Sequence, residues 1–313
     1  QLMHEAGVPA DVLHFLPGRG EVVGHLLVSD PRIAGVAFTG GTDTAQAINR
    51  QLAARGGPMA TLIAETGGQN VMIADSTALP EQVVADAVRS AFNAAGQRCS
   101  ALRVLCVQRD IADKVIAMLA GAMAELVVGD PGLIETDIGP VIDDEARQML
   151  AAHAARMAAL GRRVGMTDLR AASPHGFFFA PHAFEIDRLD RLEREVFGPI
   201  LHVVGFDGSR LDQVVDAANA TGYGLTFGIH SRIDDTVRRV RARVRAGNLY
   251  VNRNMIGAVV GVQPFGGEGL SGTGPKAGGP RYLHRFAVER TVSTDTTAAG
   301  GNAALLSLDD EEG

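Results

Sequence analysis

Cysteine is scarce: Cys99 and Cys106 are the only two in 313 residues. A single pair is no disulfide framework, which favours a reducing compartment, here the cytoplasm. Positive charge is short as well, with 29 Lys and Arg against 36 Asp and Glu and a net charge of −7. That balance argues against nucleic acid or an anionic membrane as a partner. No apolar run approaches the roughly 18 residues of a membrane-spanning helix. The nine histidines show no ligand spacing and there is no Cys-x-x-Cys pair, so no metal is expected. Internal repeats and low-complexity tracts are missing too. What is present is an ordinary globular composition, 46% hydrophobic and 21% charged. It is long enough for one large or two medium domains with a substantial core.

The order of patterns predicts an α/β fold. Residues 1–7 read as the tail of a helix closed by glycine, so the chain is expected to be the C-terminal part of something longer. Apolar runs at 12–16, 33–38 and 60–64 read as strands, separated by glycine turns and by helices near 21–28 and 43–55. Strand, glycine turn, helix, strand is the rhythm of a parallel sheet with crossover helices. A helix over 81–95 places Val83, Val84, Ala87, Val88 and Ala91 on one face. A second α/β unit follows, with strands at 102–107, 177–179, 200–206, 225–230 and 248–251 and helices at 111–126 and 143–160. Glycine and proline are dense between 257 and 280, as in a long functional loop.

Four short motifs carry chemistry. Thr39-Gly40-Gly41-Thr42 closes a strand and opens a helix. Bare glycines let a backbone approach a pyrophosphate, and a helix N-terminus offers free N–H groups and a positive dipole end. Gly18-x-Gly20-x-x-x-Gly24 repeats that context in looser form. Each alone is more commonly an ordinary strand–helix turn. Gly267-x-Gly269-x-x-Gly272 has the strict dinucleotide spacing without a following helix and reads as a decoy. Cys99, in Gly96-Gln97-Arg98-Cys99-Ser100, is a candidate nucleophile, the alternative being a small buried hydrophobe. A thiolate there needs a pKa below the ordinary ~8.5, lowered by a helix end or a cation. Cys106 lies inside an apolar strand and reads as core. Glu65 leaves the C-terminal end of a strand into Glu65-Thr66-Gly67-Gly68, where open α/β sheets place their chemistry. Paired with Cys99 it points to covalent catalysis followed by hydrolysis. Glu195 opens Glu195-Val196-Phe197-Gly198-Pro199 and is otherwise a charged loop residue. Arg238, Arg239, Arg241, Arg243 and Arg245, beside the stripe Val237, Val240 and Val244, read as a solvated basic face.

These motifs, with Pro264-Phe265-Gly266-Gly267, stand in the order found in the aldehyde dehydrogenase superfamily, which the chain resembles from about residue 1 to 297. The stretch 257–280 and the ending 295–302 are similar to the C-terminal dehydrogenase domain of bifunctional proline utilization proteins. The resemblance implies NAD-dependent oxidation of L-glutamate γ-semialdehyde to glutamate, in proline catabolism. It implies Cys99 as nucleophile, with its backbone N–H as an oxyanion donor, and Glu65 as the base that activates water. Thr39, Gly40, Gly41, Thr66, Gly67, Glu195 and Phe197 would hold NAD, Glu195 at the nicotinamide ribose. Ser100, Gly257 and Ala258 would hold the substrate's α-carboxylate, and Phe265 would wall its aliphatic part. FAD is implied only with an upstream proline dehydrogenase domain. Residues 1–66 would be the end of the Rossmann-type cofactor domain, 67–270 the catalytic domain, and 271–313 a return segment, an oligomerisation strand at 290–297 and an acidic tail. A homo-oligomer acting on a small aldehyde follows. Gly41 departs from the family's usual serine, removing one hydroxyl at the pyrophosphate. The family's catalytic asparagine and ribose lysine belong upstream of Gln1, so this piece alone is expected to be inactive or poorly folded. The alternatives are a family member for another aldehyde and a non-catalytic dehydrogenase-like domain. A coenzyme A-dependent relative is disfavoured by Glu65.

Overall fold

The computed structural model describes residues 1–169 and 175–295. A short helix α1 (Leu2–Glu5) and a π-turn at Gly20–Gly24 precede α2 (His25–Ser29). Strand β1 (Gly35–Thr39), helix α3 (Thr42–Ala54) and strand β2 (Thr61–Glu65) form one parallel crossover, with Thr39 opposite Glu65. The chain then builds β3 (Val71–Ala74), α4 (Pro80–Phe92), β4 (Val104–Gln108), α5 (Arg109–Ala124), α6 (Asp144–Leu160), β5 (Arg162–Met166), β6 (His182–Glu185) and β7 (Ile200–Phe206). It continues through α7 (Leu211–Ala220), β8 (Tyr223–Gly224), β9 (Thr226–His230), α8 (Asp234–Arg243), β10 (Asn248–Val251) and β11 (Glu268–Gly269). A seven-stranded sheet runs β10-β9-β3-β4-β7-β6-β5, parallel except for β5 against β6. β11 and β8 make a small antiparallel pair. The α/β expectation holds.

The core explains which elements sequence alone reveals. β3 and β9 are buried at every residue, and β4 and β7 at all but one. Such strands, covered by helices on both faces, read as continuous apolar runs rather than alternation. β3 was therefore not anticipated: Val-Met-Ile-Ala offers no period. In α4 the stripe of Val83, Val84, Ala87 and Ala91 is buried as predicted, with Val88 packed against the core. Proline at the first turn and an Asp143 side chain accepting from the Ala146 N–H start α4 and α6.

Several expectations need correction. Residues 12–16 form no strand; Val12, Phe15 and Leu16 are exposed. Residues 177–179 are not a strand either, because pairing begins at His182, after Pro181, which has no N–H to give to a ladder. β5 and β6 were missed. The helix read over 81–95 stops at Phe92, since Ala94, Ala95 and Gly96 all take positive φ. α8 ends at Arg243, with Arg245 beyond it, but its basic face is solvated as expected: Arg239 and Arg243 pair with Asp212 and Asp216 of α7. The return segment re-joins β2, with the Thr273 N–H on the Ala64 carbonyl and the Ala64 N–H on the Thr273 hydroxyl. Residues 290–295 are exposed and carry no strand. Thr296, Thr297 and the acidic tail lie outside the described residues. Among the described residues no helix is long and apolar enough to cross a membrane.

Candidate active site

Three loops meet over one cleft of about 810 Å³. The first leaves β2. Its last residue, Glu65, sits beside the end of β1, and the Gly40 N–H donates to the Glu65 carbonyl at 3.2 Å. Thr39-Gly40-Gly41 and Glu65-Thr66-Gly67 therefore lie side by side on the cleft. Gly41 caps α3 without any side-chain bond, which leaves the first N–H groups of that helix without a side-chain partner.

The second loop carries Cys99. Left-handed backbone at Ala94, Ala95 and Gly96 breaks α4 sharply, and a Cβ at Gly96 would fall 2.3 Å from the Gly198 carbonyl oxygen. Buried Asn70 pins the turn, its Nδ2 donating to the Cys99 carbonyl at 2.7 Å and the Ala101 carbonyl at 2.8 Å. Cys99 is half-buried and free. Burial pushes its thiol pKa up, the Glu195 and Glu65 carboxylates push the same way, and the Ser100 N–H opposes them. The lowering that a thiolate nucleophile needs is thus not met in the fold alone: Arg98 is exposed, and both neighbouring carboxylates oppose the thiolate.

The third element is Glu195. It meets the Gly68 N–H and, at 3.3 Å, the Arg103 guanidinium. Burial raises its pKa, and Arg103 holds it back. A Cβ on Gly67 would stand 1.8 Å from Glu195 Oε2, so only glycine admits the carboxylate here. Glu65 is opposite in character. Its Oε2 accepts from the Gly267 N–H at 3.3 Å, while Oε1 is buried with no partner among the described residues. Burial pushes its pKa up to about 7, against the pull of the Gly267 N–H and of Lys276. The Lys276 ammonium is itself tied to the Gly247 and Pro264 carbonyls and to Asn248 Oδ1.

Gly257, Ala258 and Phe265 close the other end, with Val260, Gln263 and Ala277. Phe265 and Ala277 exchange two backbone bonds, of 3.0 and 2.8 Å, which fixes the aromatic wall. Gln263 Oε1, like Glu65 Oε1, is buried and without a partner among the described residues. Such orphaned acceptors on a cleft are open to a ligand's donors. A second cavity, about 900 Å³, is lined by Phe38 and Asp43, at the two ends of the Thr39-Gly40-Gly41-Thr42 turn, and by Gly20, Gly24, His25 and Ile48.

The sequence profile of the aldehyde dehydrogenase family matches residues 1–292. The chain belongs to that family. It is 55% identical over 298 residues to the bifunctional protein PutA of Klebsiella aerogenes, covering 92% of this chain and 23% of that protein. It is 38% identical over 302 residues to the 1-pyrroline-5-carboxylate dehydrogenase of Geobacillus kaustophilus, covering 94% of this chain and 57% of that one. Its fold superposes on a crystal structure of bifunctional proline utilization A with a TM-score of 0.91 at 59% identity, over 96% of this chain and 30% of that one. A Thermus 1-pyrroline-5-carboxylate dehydrogenase with bound NAD gives 0.85 at 35% identity, over 91% and 55%. The chain thus spans about a quarter of the curated bifunctional relatives and little more than half of the single-function dehydrogenases.

All residues that the family resemblance assigned to cofactor, substrate or catalysis line the one cleft: Cys99, Glu65, Thr39, Gly40, Gly41, Thr66, Gly67, Glu195, Phe197, Ser100, Gly257, Ala258 and Phe265. Gly267-x-Gly269-x-x-Gly272 is no phosphate loop, since β11 and not a helix holds it, yet its first N–H reaches Glu65. Sequence reasoning gave no role to Gln263, Lys276, Asn70 or Arg103. Only Arg103 left a signal, a lone charge inside the apolar run Ala101-Leu102-Arg103-Val104.

Proposed function

We propose that this chain supplies the catalytic part of an NAD-dependent aldehyde dehydrogenase that oxidises L-glutamate γ-semialdehyde, the open form of 1-pyrroline-5-carboxylate, to L-glutamate in proline breakdown. The observation that carries the reading is the meeting of a free thiol, a carboxylate of pKa about 7 and a glycine-bounded helix start in one cleft. Relatives named as 1-pyrroline-5-carboxylate dehydrogenases support the substrate. A cytoplasmic homo-oligomer belongs to the same reading, and FAD enters it only with an upstream proline dehydrogenase domain.

The residues fit NAD. The uncapped start of α3 suits a pyrophosphate, and the two cavities that share the Phe38–Asp43 turn in their linings suit a long ligand. Gly41 brings no hydroxyl, but its backbone still faces the cleft. Thr39, Gly40 and Gly41 would meet the phosphates, Thr66 and Gly67 the nicotinamide end, and Glu195 with Phe197 the ribose. NAD, when bound, supplies the hydride acceptor.

The chain's own residues do the rest. Cys99 Sγ gives up its proton to solvent and adds to the aldehyde carbon, and the carbonyl oxygen takes the negative charge opposite the Cys99 backbone N–H. Loss of hydride leaves a thioester on Cys99. Glu65, as carboxylate, takes a proton from water, whose oxygen attacks the thioester carbon. The C–S bond breaks, the thiolate returns and glutamate leaves. Backbone N–H groups at Gly257 and Ala258, with Ser100, would hold the α-carboxylate.

Two measurements on the full-length protein test this. An aldehyde of the same length without the α-carboxylate is expected to lose about 100-fold in kcat/KM, the value of two charge-assisted hydrogen bonds at ~1.5 kcal/mol each. Equal kcat/KM for both substrates moves the function to another aldehyde. Gly67→Ala is expected to displace Glu195 and raise the KM for NAD about tenfold or more, with kcat for bound substrate less affected. An unchanged KM removes Glu195 from the cofactor site.

A further inference from the structure

Arg103 is 1% exposed, yet it carries a full positive charge into the core. Burying a guanidinium costs several kcal/mol unless its donors are matched. Four of them are matched, all by two segments. Nη1 donates to the Gly96 carbonyl at 2.9 Å and the Gly198 carbonyl at 3.0 Å. Nη2 donates to the Arg98 carbonyl at 3.1 Å and to Glu195 Oε1 at 3.3 Å. Gly96 and Arg98 belong to the thiol turn; Glu195 and Gly198 belong to the opposite loop. The guanidinium also lies 5.5 Å from the centre of the Phe197 ring. The residue's backbone is held just as firmly. Its N–H donates to the Asn70 carbonyl, and its carbonyl accepts from the His202 N–H and faces His202 Nδ1 at 2.9 Å.

The Arg98 contact has a consequence fixed by covalent geometry. A trans peptide is planar, and its C=O and N–H point in opposite directions. The peptide that joins Arg98 to Cys99 therefore directs the Cys99 N–H away from the guanidinium, and a cation on the carbonyl makes that N–H a stronger donor. Gln97, Arg98 and Cys99 line the cleft on that side.

We propose that Arg103 is a positioning residue that aims and strengthens the Cys99 backbone N–H as an oxyanion donor while locking the same turn to the Glu195 loop. This rests on the aldehyde dehydrogenase reading above. Arginine is required for it, because a planar fork reaches several acceptors in fixed directions, whereas a lysine is a single point charge.

The test uses Arg103→Lys and Arg103→Met in the full-length protein, with rates normalised to the titre of alkylatable Cys99. Both variants are expected to lose about 100-fold in kcat, the lower end of the loss for one oxyanion donor, with the KM for aldehyde within about threefold of the parent. The KM for NAD is expected to rise about tenfold in Arg103→Met and to recover in Arg103→Lys, since an ammonium satisfies Glu195 but not the carbonyls. Without substrate or cofactor, the pH midpoint of Cys99 alkylation by iodoacetamide moves up in Arg103→Met and back in Arg103→Lys. If Arg103→Met does not fold, Arg103→Lys carries the test. A folded lysine variant with the parent's kcat overturns the proposal, as does an alkylation profile unchanged in both variants. If the parent itself fails to oxidise the semialdehyde, the functional reading fails, and the alkylation profiles still decide the role of Arg103.

Discussion

Cys99→Ser is expected to lower aldehyde oxidation by about 10⁴-fold or more, the scale on which removal of a catalytic nucleophile acts, while NAD binding and the fold persist. A serine hydroxyl ionises far above a thiol and is the weaker nucleophile at neutral pH. The change is nearly isosteric at a half-buried position, so the core is untouched. Cys106→Ser is the matching control. That thiol is fully buried in β4, with a pKa pushed by burial up to about 12. The serine leaves a buried hydroxyl in apolar surroundings and costs about 1–3 kcal/mol of stability, with the kcat of folded enzyme retained. Steady-state NADH formation and thermal unfolding of the two variants separate the roles. Appreciable turnover by Cys99→Ser removes the thiol from the chemistry.

Glu65→Gln is expected to lower kcat by about 10²–10⁴-fold while leaving a first burst of NADH, because acyl transfer to Cys99 does not need this base and hydrolysis does. The parent's pH profile follows from the same carboxyl. A base works deprotonated, and burial lifts Glu65 to about 7. The parent's kcat therefore rises with pH up to about 7 and falls tenfold per unit below it, and the glutamine variant loses that limb. The linkage runs the other way for stability. A carboxyl whose folded pKa is raised stabilises the fold below its unfolded value of 4.5 and gives that stability up as pH rises through about 7. Glu65→Gln is accordingly at least as stable as the parent at pH 8. On the proposed reading, catalysis would use a carboxylate that the fold would be better without. A variant that turns over like the parent, with the same pH profile, assigns water activation elsewhere.

What was legible in the chain was what glycine and periodicity write locally. The turns Thr39-Gly40-Gly41-Thr42, Glu65-Thr66-Gly67-Gly68 and Gly96-Gln97-Arg98-Cys99 announce themselves because sharp backbone turns and close approaches need glycine. Helix α4 and strand β7 announce themselves by spacing and by length. The family resemblance then gathered residues as far apart as Glu65 and Phe265, 200 positions, onto one cleft. The rest depends on three-dimensional neighbours. β3 hides because a strand buried on both faces has no alternation, and β6 hides behind Pro181. The direction of the Cys99 pKa is not legible along the chain, because the charges that act on it, Glu195 and Glu65, are its neighbours in space and not in sequence. Lys276 and Gln263 sit in a glycine-rich loop whose spacing says nothing about where an ammonium or an amide will end up.

The central claim is that Cys99 holds the acyl group and Glu65 releases it. Its most direct test is mass spectrometry of full-length Glu65→Gln after brief incubation with L-glutamate γ-semialdehyde and NAD. The account predicts that the peptide containing Cys99 gains the mass of a glutamyl group, lost on treatment with hydroxylamine. An unmodified Cys99 peptide after a full burst of NADH, or a glutamyl group on another residue, contradicts it.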